Sequence, residues 1–355
     1  MAKSFNYPVH AFRGFAILNI VAIHAFAFIL FYAESSGSPA GAGLMVVGVL
    51  NGVLLHDSTL YFTYISGILF SMVLAQRGYR RFFRSKFFYV FLPYLFFTVL
   101  YSTQVYEGPP GSPALFFDGT LGEFAQRVGM NLVTGNAILI FWYIPVLMAL
   151  YLLTPLLARL IATPNTNWLK ALIIFAPLIF SRVWPAVSWT NYVYFLGAYL
   201  IGMLVGTYYR ETIQLIRDNQ ALLWITAIAT SLGIAAVGFF EVAPYGRTNL
   251  AESAWYLQKI ALAGLVLLWF DKTMTKVPGW LDVLGNYAFA VFFIHMFLLL
   301  QLIAWMTQNQ LAIDNTPELL AYLGGAFALA LGGSVFLTYL GKLLLGRYSR
   351  YFIGA

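Results

Sequence analysis

Apolar segments of about membrane-spanning length recur along the whole chain, and they constrain its fold more than any other feature. A helix needs about 20 mostly apolar residues to cross a bilayer, and about ten segments meet this requirement. The ten are residues 11–33, 57–76, 87–105, 137–158, 168–184, 190–208, 221–240, 252–270, 281–305 and 318–344. Residues 44–55 are apolar but shorter, which predicts a partial or re-entrant helix. We therefore predict an all-α, polytopic integral membrane protein that forms a single transmembrane domain over residues 1–355.

The composition agrees with this class and excludes others. Of the 355 residues, 61% are hydrophobic and 9% are charged, whereas an average soluble domain has about 25% charged residues. The absence of cysteine excludes disulfide bonds, thiolate metal sites and a cysteine nucleophile. The four histidines are scattered without close His/Asp/Glu spacing, so no metal site is expected. The net charge of +7 indicates basic loops beside membrane lipids, and no nucleic-acid partner is expected.

The positions of the basic residues predict the orientation. If the N-terminus is cytoplasmic and each segment crosses once, 16 of the 20 Lys and Arg residues lie on the cytoplasmic side. The other four are Arg127, Arg182, Arg247 and Lys259. This positive-inside bias predicts that both termini are cytoplasmic. His56 and Asp57, at the outer end of the second span, are expected to be solvated or interfacial.

The first apolar segment contains two ionisable residues, Arg13 and His24. They are eleven positions apart, which places them on one face of a helix and roughly 16 Å apart along its axis. Ionisable side chains inside a membrane are costly and usually functional. A snorkelling arginine and a histidine hydrogen-bonded in a bundle core would explain each residue singly. Their shared face favours a functional site.

Three chemical roles are open to His24. An imidazole titrates near neutral pH and suits a general base, but it could also be a transient nucleophile or one step of a proton path. Asp57, Glu34 or Asn19 could orient it. The other intramembrane histidine, His295 in the ninth span, is expected to make a core hydrogen bond.

Small and aromatic residues mark two further positions. Ser66-Gly67, in the second span, predicts a close helix contact through small residues. Trp142 and Tyr143, near the outer end of the fourth span, are typical of an aromatic belt at the membrane surface. They could equally stack against a sugar ring if a groove opens there.

A basic cluster follows the second span and consists of Arg77, Arg80, Arg81, Arg84 and Lys86. Guanidinium groups bind phosphate through a bidentate fork, and the cluster lies on the same predicted side as Arg13. Together they could hold the phosphates of a nucleotide-like cofactor. Arg81 and Arg84, three positions apart on one helical face, are the most site-like pair. An anchor that contacts anionic lipid is the other explanation, and the cluster alone favours it.

Five stretches, taken together, resemble the acyltransferase-3 family of membrane-bound O-acyltransferases. They are Arg13-Gly14 with His24, then FTYISGILF, RRFFRSKFFYVFLPY, FWYIPVLMALYLLTPLL and LGNYAFAVFFIHMFLLL. They follow the family's order and spacing, and the spans cover essentially the whole chain. Each motif is moderately specific, whereas the ordered set is a strong signal.

The resemblance implies transfer of an acyl group, commonly acetyl, from cytoplasmic acyl-CoA to a hydroxyl of an extracytoplasmic glycan or a lipid-linked saccharide. It implies that His24 is the catalytic histidine, that Arg13 is the essential cation on its helix, and that Arg81 and Arg84 are the CoA-side pair. Some family members have an extra extracytoplasmic hydrolase-like domain that this sequence lacks, so an acyl handover to one is expected to need a separate protein. The resemblance and the absence of a targeting peptide favour the bacterial cytoplasmic membrane.

Alternative functions and mechanisms remain open at this level. A transporter or exporter of a glycan or a small anion would also have about ten spans and intramembrane charge, although the internal repeat typical of transporters is not seen. A non-catalytic membrane partner in envelope assembly would tolerate substitution of His24. Within the enzyme hypothesis, His24 acts as general base for direct attack by the acceptor hydroxyl, or it forms an acyl-histidine intermediate.

Overall fold

The structure is a computed structural model that describes residues 6–105, 115–182, 188–240 and 248–355. Helices dominate these residues, joined by one antiparallel pair of two-residue strands, β1 (Gln104–Val105) and β2 (Leu115–Phe116). In chain order the helices are α1 (Tyr7–Ser35), α2 (Gly41–Leu54), α3 (Thr59–Leu69), α4 (Tyr79–Lys86), α5 (Leu92–Ser102), α6 (Leu121–Thr134), α7 (Tyr143–Ala162), α8 (Asn167–Phe175), α9 (Trp189–Thr207), α10 (Tyr209–Asp218), α11 (Gln220–Phe239), α12 (Leu250–Thr273), α13 (Gly279–Gln308), α14 (Thr316–Leu345) and α15 (Ser349–Phe352). The all-α class is therefore confirmed for the described residues.

Eight helices within the described ranges are long and apolar enough to cross a membrane, or nine if one bent pair counts as a single span. The bent pair is α9 and α10, whose axes meet at 107° around Tyr208. The short segment 44–55 forms α2, which joins α3 and its continuation in one candidate span, Gly41–Arg77. The chain is a multi-pass membrane protein, while the count of ten spans and the cytoplasmic termini stay predictions.

The predicted fifth span, 168–184, differs most from the structure. Its described part forms α8 and a 3₁₀ turn, which together run over Asn167–Leu178. Pro177 lies in that turn and cannot donate a main-chain hydrogen bond, so it ends the α-helix. A helix this short spans about 18 Å, less than the roughly 30 Å of a bilayer core. Apolar composition alone therefore overestimated the length of this helix.

The chain folds into two compact units, each assembled from segments that are separate in sequence. Unit 1 contains the described parts of Met1–Ala16, His56–Lys86 and Val146–Gly285. Unit 2 contains those of Ile17–Leu55, Phe87–Pro145 and Asn286–Ala355. Three of the helices, α1, α7 and α13, each have residues in both units.

In unit 1, α3 and α9 pack backbone against backbone through three glycines. A Cβ added to Gly67 would overlap the Tyr199 carbonyl oxygen, and one at Gly202 would overlap the carbonyl oxygen of Tyr64. At Gly206 it would lie 2.5 Å from the oxygen of Ile68. Small residues let membrane helices approach closely enough for extensive van der Waals contact. The close helix contact predicted at Ser66-Gly67 is confirmed.

In unit 2, aromatic residues of α5 hold the helix against α13. The Tyr101 hydroxyl donates to the carbonyl oxygen of Phe293 at 2.7 Å, and the ring of Phe97 stacks on Phe293 with centroids 5.0 Å apart. Because both groups are buried, this hydrogen bond satisfies a polar group that water cannot reach. These contacts fix the segment of α13 that carries His295.

The helix α6 begins with a capping box outside the candidate spans. The Glu123 carboxylate accepts hydrogen bonds from the backbone N–H and the hydroxyl of Thr120, at 2.7 and 2.8 Å. These bonds lower the pKa of Glu123, because they stabilise its charged form. At the other end, Gly135 adopts the left-handed conformation, with φ of 72°, and ends the helix. Arg127, one of the four cations predicted outside, lies on α6, whereas Arg247 is outside the described residues.

Replacement of Gly202 by alanine tests the α3–α9 contact. The new methyl group would force the two backbones apart, so we expect a destabilisation of about 1–3 kcal/mol and a lower thermal unfolding midpoint in detergent. The matched control is Gly233→Ala on α11, where no heavy atom lies within 4 Å of the added Cβ. That change should leave the midpoint unchanged or raise it. Equal midpoints for the two variants would contradict a close backbone contact at Gly202.

Candidate active site

The two intramembrane histidines form a hydrogen-bonded pair in unit 2. Nδ1 of His24, on α1, lies 3.1 Å from Nε2 of His295, on α13. Their rings are stacked, with centroids 5.2 Å apart and planes inclined at 30°. His295 is fully buried, whereas His24 is half-buried. The two imidazoles of the pair therefore differ in their burial.

The main chain of α13 anchors the buried member of this pair. Nδ1 of His295 lies 2.8 Å from the carbonyl oxygen of Val291, one turn earlier on the same helix. Both ring nitrogens of His295 therefore have partners, as expected of a buried polar group. The core hydrogen bond predicted for His295 is confirmed, and its partner is the candidate catalytic residue.

None of the three residues that could orient His24 is hydrogen-bonded to its side chain in the described part of the chain. Among the described residues, the side-chain hydrogen-bonding partner of His24 is His295. Asp57 is in unit 1 and pairs with Arg182, while Glu34 is exposed near the end of α1. Asn19 is buried on α1, five positions before His24. The sequence did show that His295 is an ionisable group within an apolar span. It did not indicate that His295 contacts His24, which is 271 positions earlier.

Arg13 lies on the same continuous helix as His24, as predicted, and it is half-buried. The turn that carries it packs closely against α13 within unit 1. A Cβ added to Gly14 would lie 2.6 Å from the Leu281 carbonyl oxygen, and His10 Nε2 lies 2.9 Å from Asp282 Oδ1. The glycine that follows Arg13 is therefore a packing residue, a role that the sequence alone did not indicate.

Arg81 and Arg84 both lie on α4 and are exposed. The adjacent Lys86 turns inward instead, and its Nζ lies 4.1 Å from the centroid of the Tyr151 ring. Phe82 is fully buried on the same short helix, so α4 buries one face and presents its arginines on another. The two guanidinium groups are accessible to an anionic ligand in solution or to lipid headgroups.

Trp142 and Tyr143 are buried, with 7% and 3% of their surfaces exposed. They therefore do not face lipid as belt residues would. The ring of Tyr143 meets that of Phe292 edge-on at 6.1 Å, and Phe292 lies 6.2 Å from the ring of His295. Within unit 2, aromatic contacts thus connect Tyr143 to the histidine pair.

A second polar cluster, in unit 1, is built around Arg182. Its Nε donates to Glu252 Oε2 at 2.7 Å, Nη1 lies 3.0 Å from Asp57 Oδ1, and Nη2 lies 2.7 Å from His56 Nε2. The hydroxyl of Tyr194 donates to the other Asp57 oxygen at 2.5 Å. The Asp57 side chain is fully buried, so the expectation that it is solvated or interfacial was wrong. Its partner Arg182 is far from Asp57 in the sequence, so the sequence alone did not indicate this ion pair.

The composition of the Arg182 cluster differs from that of a metal site. A guanidinium occupies its centre, and the carboxylates around it are already paired with that cation. Among the residues that the structure describes, no group of three His, Asp or Glu side chains could hold a metal ion.

Comparison with known proteins places this geometry in a family. The family model described as "Acyltransferase domain" matches residues 6–338, nearly the whole chain. The chain belongs to the acyltransferase-3 family. It is therefore a membrane acyltransferase, and the histidine pair lies within the matched region. Searches of curated proteins and of solved structures gave no significant match.

Removal of Arg182 tests whether the unit 1 cluster stabilises this acyltransferase. The Arg182→Leu change would leave the buried Asp57 carboxylate without its cation, which typically costs about 3–5 kcal/mol. We expect a much lower thermal unfolding midpoint, partly restored when Asp57→Asn removes the buried anion. Arg159→Leu, which removes an exposed arginine of α7, is the control and should change the midpoint little. An equally small effect of Arg182→Leu would rule out a stabilising ion pair.

Proposed function

We propose that the protein transfers an acyl group, most simply acetyl, from cytoplasmic acyl-CoA to a hydroxyl of an extracytoplasmic glycan or lipid-linked saccharide, and that it does so in the bacterial cytoplasmic membrane. Family membership supports acyl transfer. The observation that supports His24 as the reactive group is its place in the histidine pair, half-buried against a fully buried partner. An imidazole in that position can accept a proton from a hydroxyl.

The proposed reaction is direct transfer. The acceptor oxygen attacks the thioester carbonyl carbon, the C–O bond forms, and the C–S bond breaks. His24 takes the hydroxyl proton and returns it to the departing CoA sulfur, so the side chain ends unchanged. In the alternative mechanism, His24 itself attacks the thioester and forms an acyl-histidine that the acceptor then cleaves. Radiolabelled acyl-enzyme trapped without acceptor, and lost in His24→Ala, would favour the second mechanism.

Arginines are the proposed donor-binding groups. Arg81 and Arg84 are exposed on α4, and guanidinium groups bind phosphate oxygens in bidentate geometry. CoA carries several phosphates, so two accessible arginines suit its nucleotide end. Arg13, on the helix of His24, is assigned to the donor as a fixed cation.

Aromatic side chains are the proposed contacts for the acceptor. Sugar rings stack on aromatic faces, and Tyr143 is connected to the histidine pair through Phe292. Trp142 packs edge-on against Tyr143, with ring centroids 6.1 Å apart. Both residues are buried, so this proposal requires their side chains to open towards a bound saccharide.

Turnover of acetyl-CoA by the purified protein tests the function. With a panel of glycan acceptors, we expect CoA release by the wild type and a loss of about 10²–10⁴-fold in His24→Ala, the usual contribution of a general base. Binding of acetyl-CoA should be retained. The control is Phe31→Ala, an exposed position on the same helix. If a range of acyl-CoAs, including succinyl-CoA, neither binds nor turns over, the enzyme proposal fails and a transporter of a glycan or small anion is favoured.

The donor assignment makes a separate kinetic prediction. Arg81→Ala and Arg84→Ala should raise KM for acetyl-CoA about tenfold each, in line with loss of a charge-assisted hydrogen bond, with kcat little changed. Added salt should raise the wild-type KM, because it screens exposed charges. Arg217→Ala, which removes an exposed arginine of α10 on the same predicted side, should leave KM unchanged. Equal KM values across all three variants would reassign the α4 arginines to lipid contact.

A further inference from the structure

The hydrogen bonds of the histidine pair form a chain with a defined end. It runs from His24 Nδ1 to His295 Nε2 over 3.1 Å, and from His295 Nδ1 to the Val291 carbonyl oxygen over 2.8 Å. A main-chain carbonyl can only accept a hydrogen bond. The proton between His295 and Val291 must therefore reside on Nδ1 of His295.

Burial then determines the other nitrogen of His295. The side chain is fully buried inside a membrane-spanning helix, and its two partners, an imidazole and a main-chain carbonyl, are not anions. A cation there would lack a compensating charge, which is costly in a low-dielectric environment. His295 is therefore neutral, and its Nε2 carries a lone pair.

A lone pair on His295 Nε2 requires a hydrogen on the facing nitrogen of His24. Nδ1 of His24 must donate, because two lone pairs 3.1 Å apart would repel each other. In a neutral His24 the proton on Nδ1 leaves Nε2 unprotonated. The tautomer of the half-buried histidine is thus set by the carbonyl of Val291 through His295.

We infer that His295 is a positioning residue: it holds His24 in the Nδ1-protonated tautomer and so presents His24 Nε2 as the proton acceptor in acyl transfer. The catalytic consequence rests on the proposed function, whereas the tautomer does not. His295 thus takes the orienting role of the carboxylate in a serine hydrolase triad, with a neutral imidazole in place of the anion.

The last member of this hydrogen-bond series also distinguishes between two roles for His24, a general base and one step of a proton path. A proton path needs a further group that can take up a proton, but a main-chain carbonyl accepts only a hydrogen bond. A proton taken up at His24 Nε2 from the acceptor hydroxyl cannot leave through His295 and Val291. It stays on His24 until the CoA sulfur takes it. Of the three roles considered for His24, this arrangement disfavours the proton path.

The surrounding packing keeps His295 in place. Two positions away, the Phe293 carbonyl oxygen accepts the Tyr101 hydrogen bond from α5. Phe293 also stacks on Phe97, and Phe292 lies against the His295 ring. A catalytic group needs neighbours that fix its orientation to within a fraction of an ångström, and α5 with α13 supplies them in unit 2.

The tautomer can be read directly by ¹⁵N NMR of the full chain in nanodiscs, with ¹⁵N-labelled histidine. The sequence has four histidines, so single substitutions assign each signal. We expect protonated Nδ1 and unprotonated Nε2 for both His24 and His295. In His295→Phe, which keeps a ring but removes the acceptor, the proton of His24 should shift towards Nε2.

Kinetics and a matched control separate positioning from stability. With acetyl-CoA as donor, His295→Phe should lower kcat about 10²-fold, the scale of lost orienting partners in other enzymes, with KM for acetyl-CoA within about twofold. His295→Gln, which supplies both a donor and an acceptor, should restore part of kcat. Tyr32→Phe removes a buried hydrogen bond to the Met306 carbonyl oxygen of the same helix; it should lower the unfolding midpoint but leave the His24 tautomer and kcat unchanged.

Two results would overturn the inference. One is wild-type His24 protonated on Nε2, and the other is the same tautomer shift in Tyr32→Phe as in His295→Phe. The wild-type spectrum tests the His24 tautomer even if His295→Phe does not fold. In that case His295→Gln replaces His295→Phe as the test variant. A wild type without acyl-CoA turnover but with the expected tautomer would reject the proposed function and leave the role of His295 in setting the tautomer intact.

Discussion

The absence of water from the membrane interior is the constraint on which the rest of this structure depends. A polar group buried there has to find its partner within the protein. Thr154 and Tyr199 pair their hydroxyls at 2.8 Å, and the Gln258 amide donates to Ser231 at 2.8 Å. These bonds connect different helices, so each also fixes how two helices pack.

The two polar clusters meet this constraint in opposite ways. In unit 1, Arg182 contacts two carboxylates and a histidine, so each of these side chains has a polar or charged partner. Such a cluster has little capacity left for chemistry and suits a stabilising role. In unit 2, the described residues place no formal charge beside the histidine pair, and one imidazole is half-buried. This half-buried imidazole is the one to which we assign the proposed proton transfer from a hydroxyl.

Helix packing determines where these clusters can form. Three glycines bring the backbones of α3 and α9 into contact, and Gly14 does the same for the first turns of α1 and α13. In lipid, where burial of apolar surface gives helices little reason to associate, close van der Waals contact is the main attraction. The positions of the polar residues on these helices therefore depend on glycines at the helix contacts.

The sequence by itself determined the membrane class, the helical fold and the presence of Arg13 and His24 on one helix, because hydrophobic length and 3.6-residue periodicity act locally. It also indicated the Ser66-Gly67 contact and a hydrogen-bonded core role for His295. Only the tertiary structure decided that His295 partners His24, that Arg182 covers Asp57, and that Trp142 and Tyr143 are buried. Those pairings join residues far apart in sequence, and they follow from how the helices pack, which local composition does not encode.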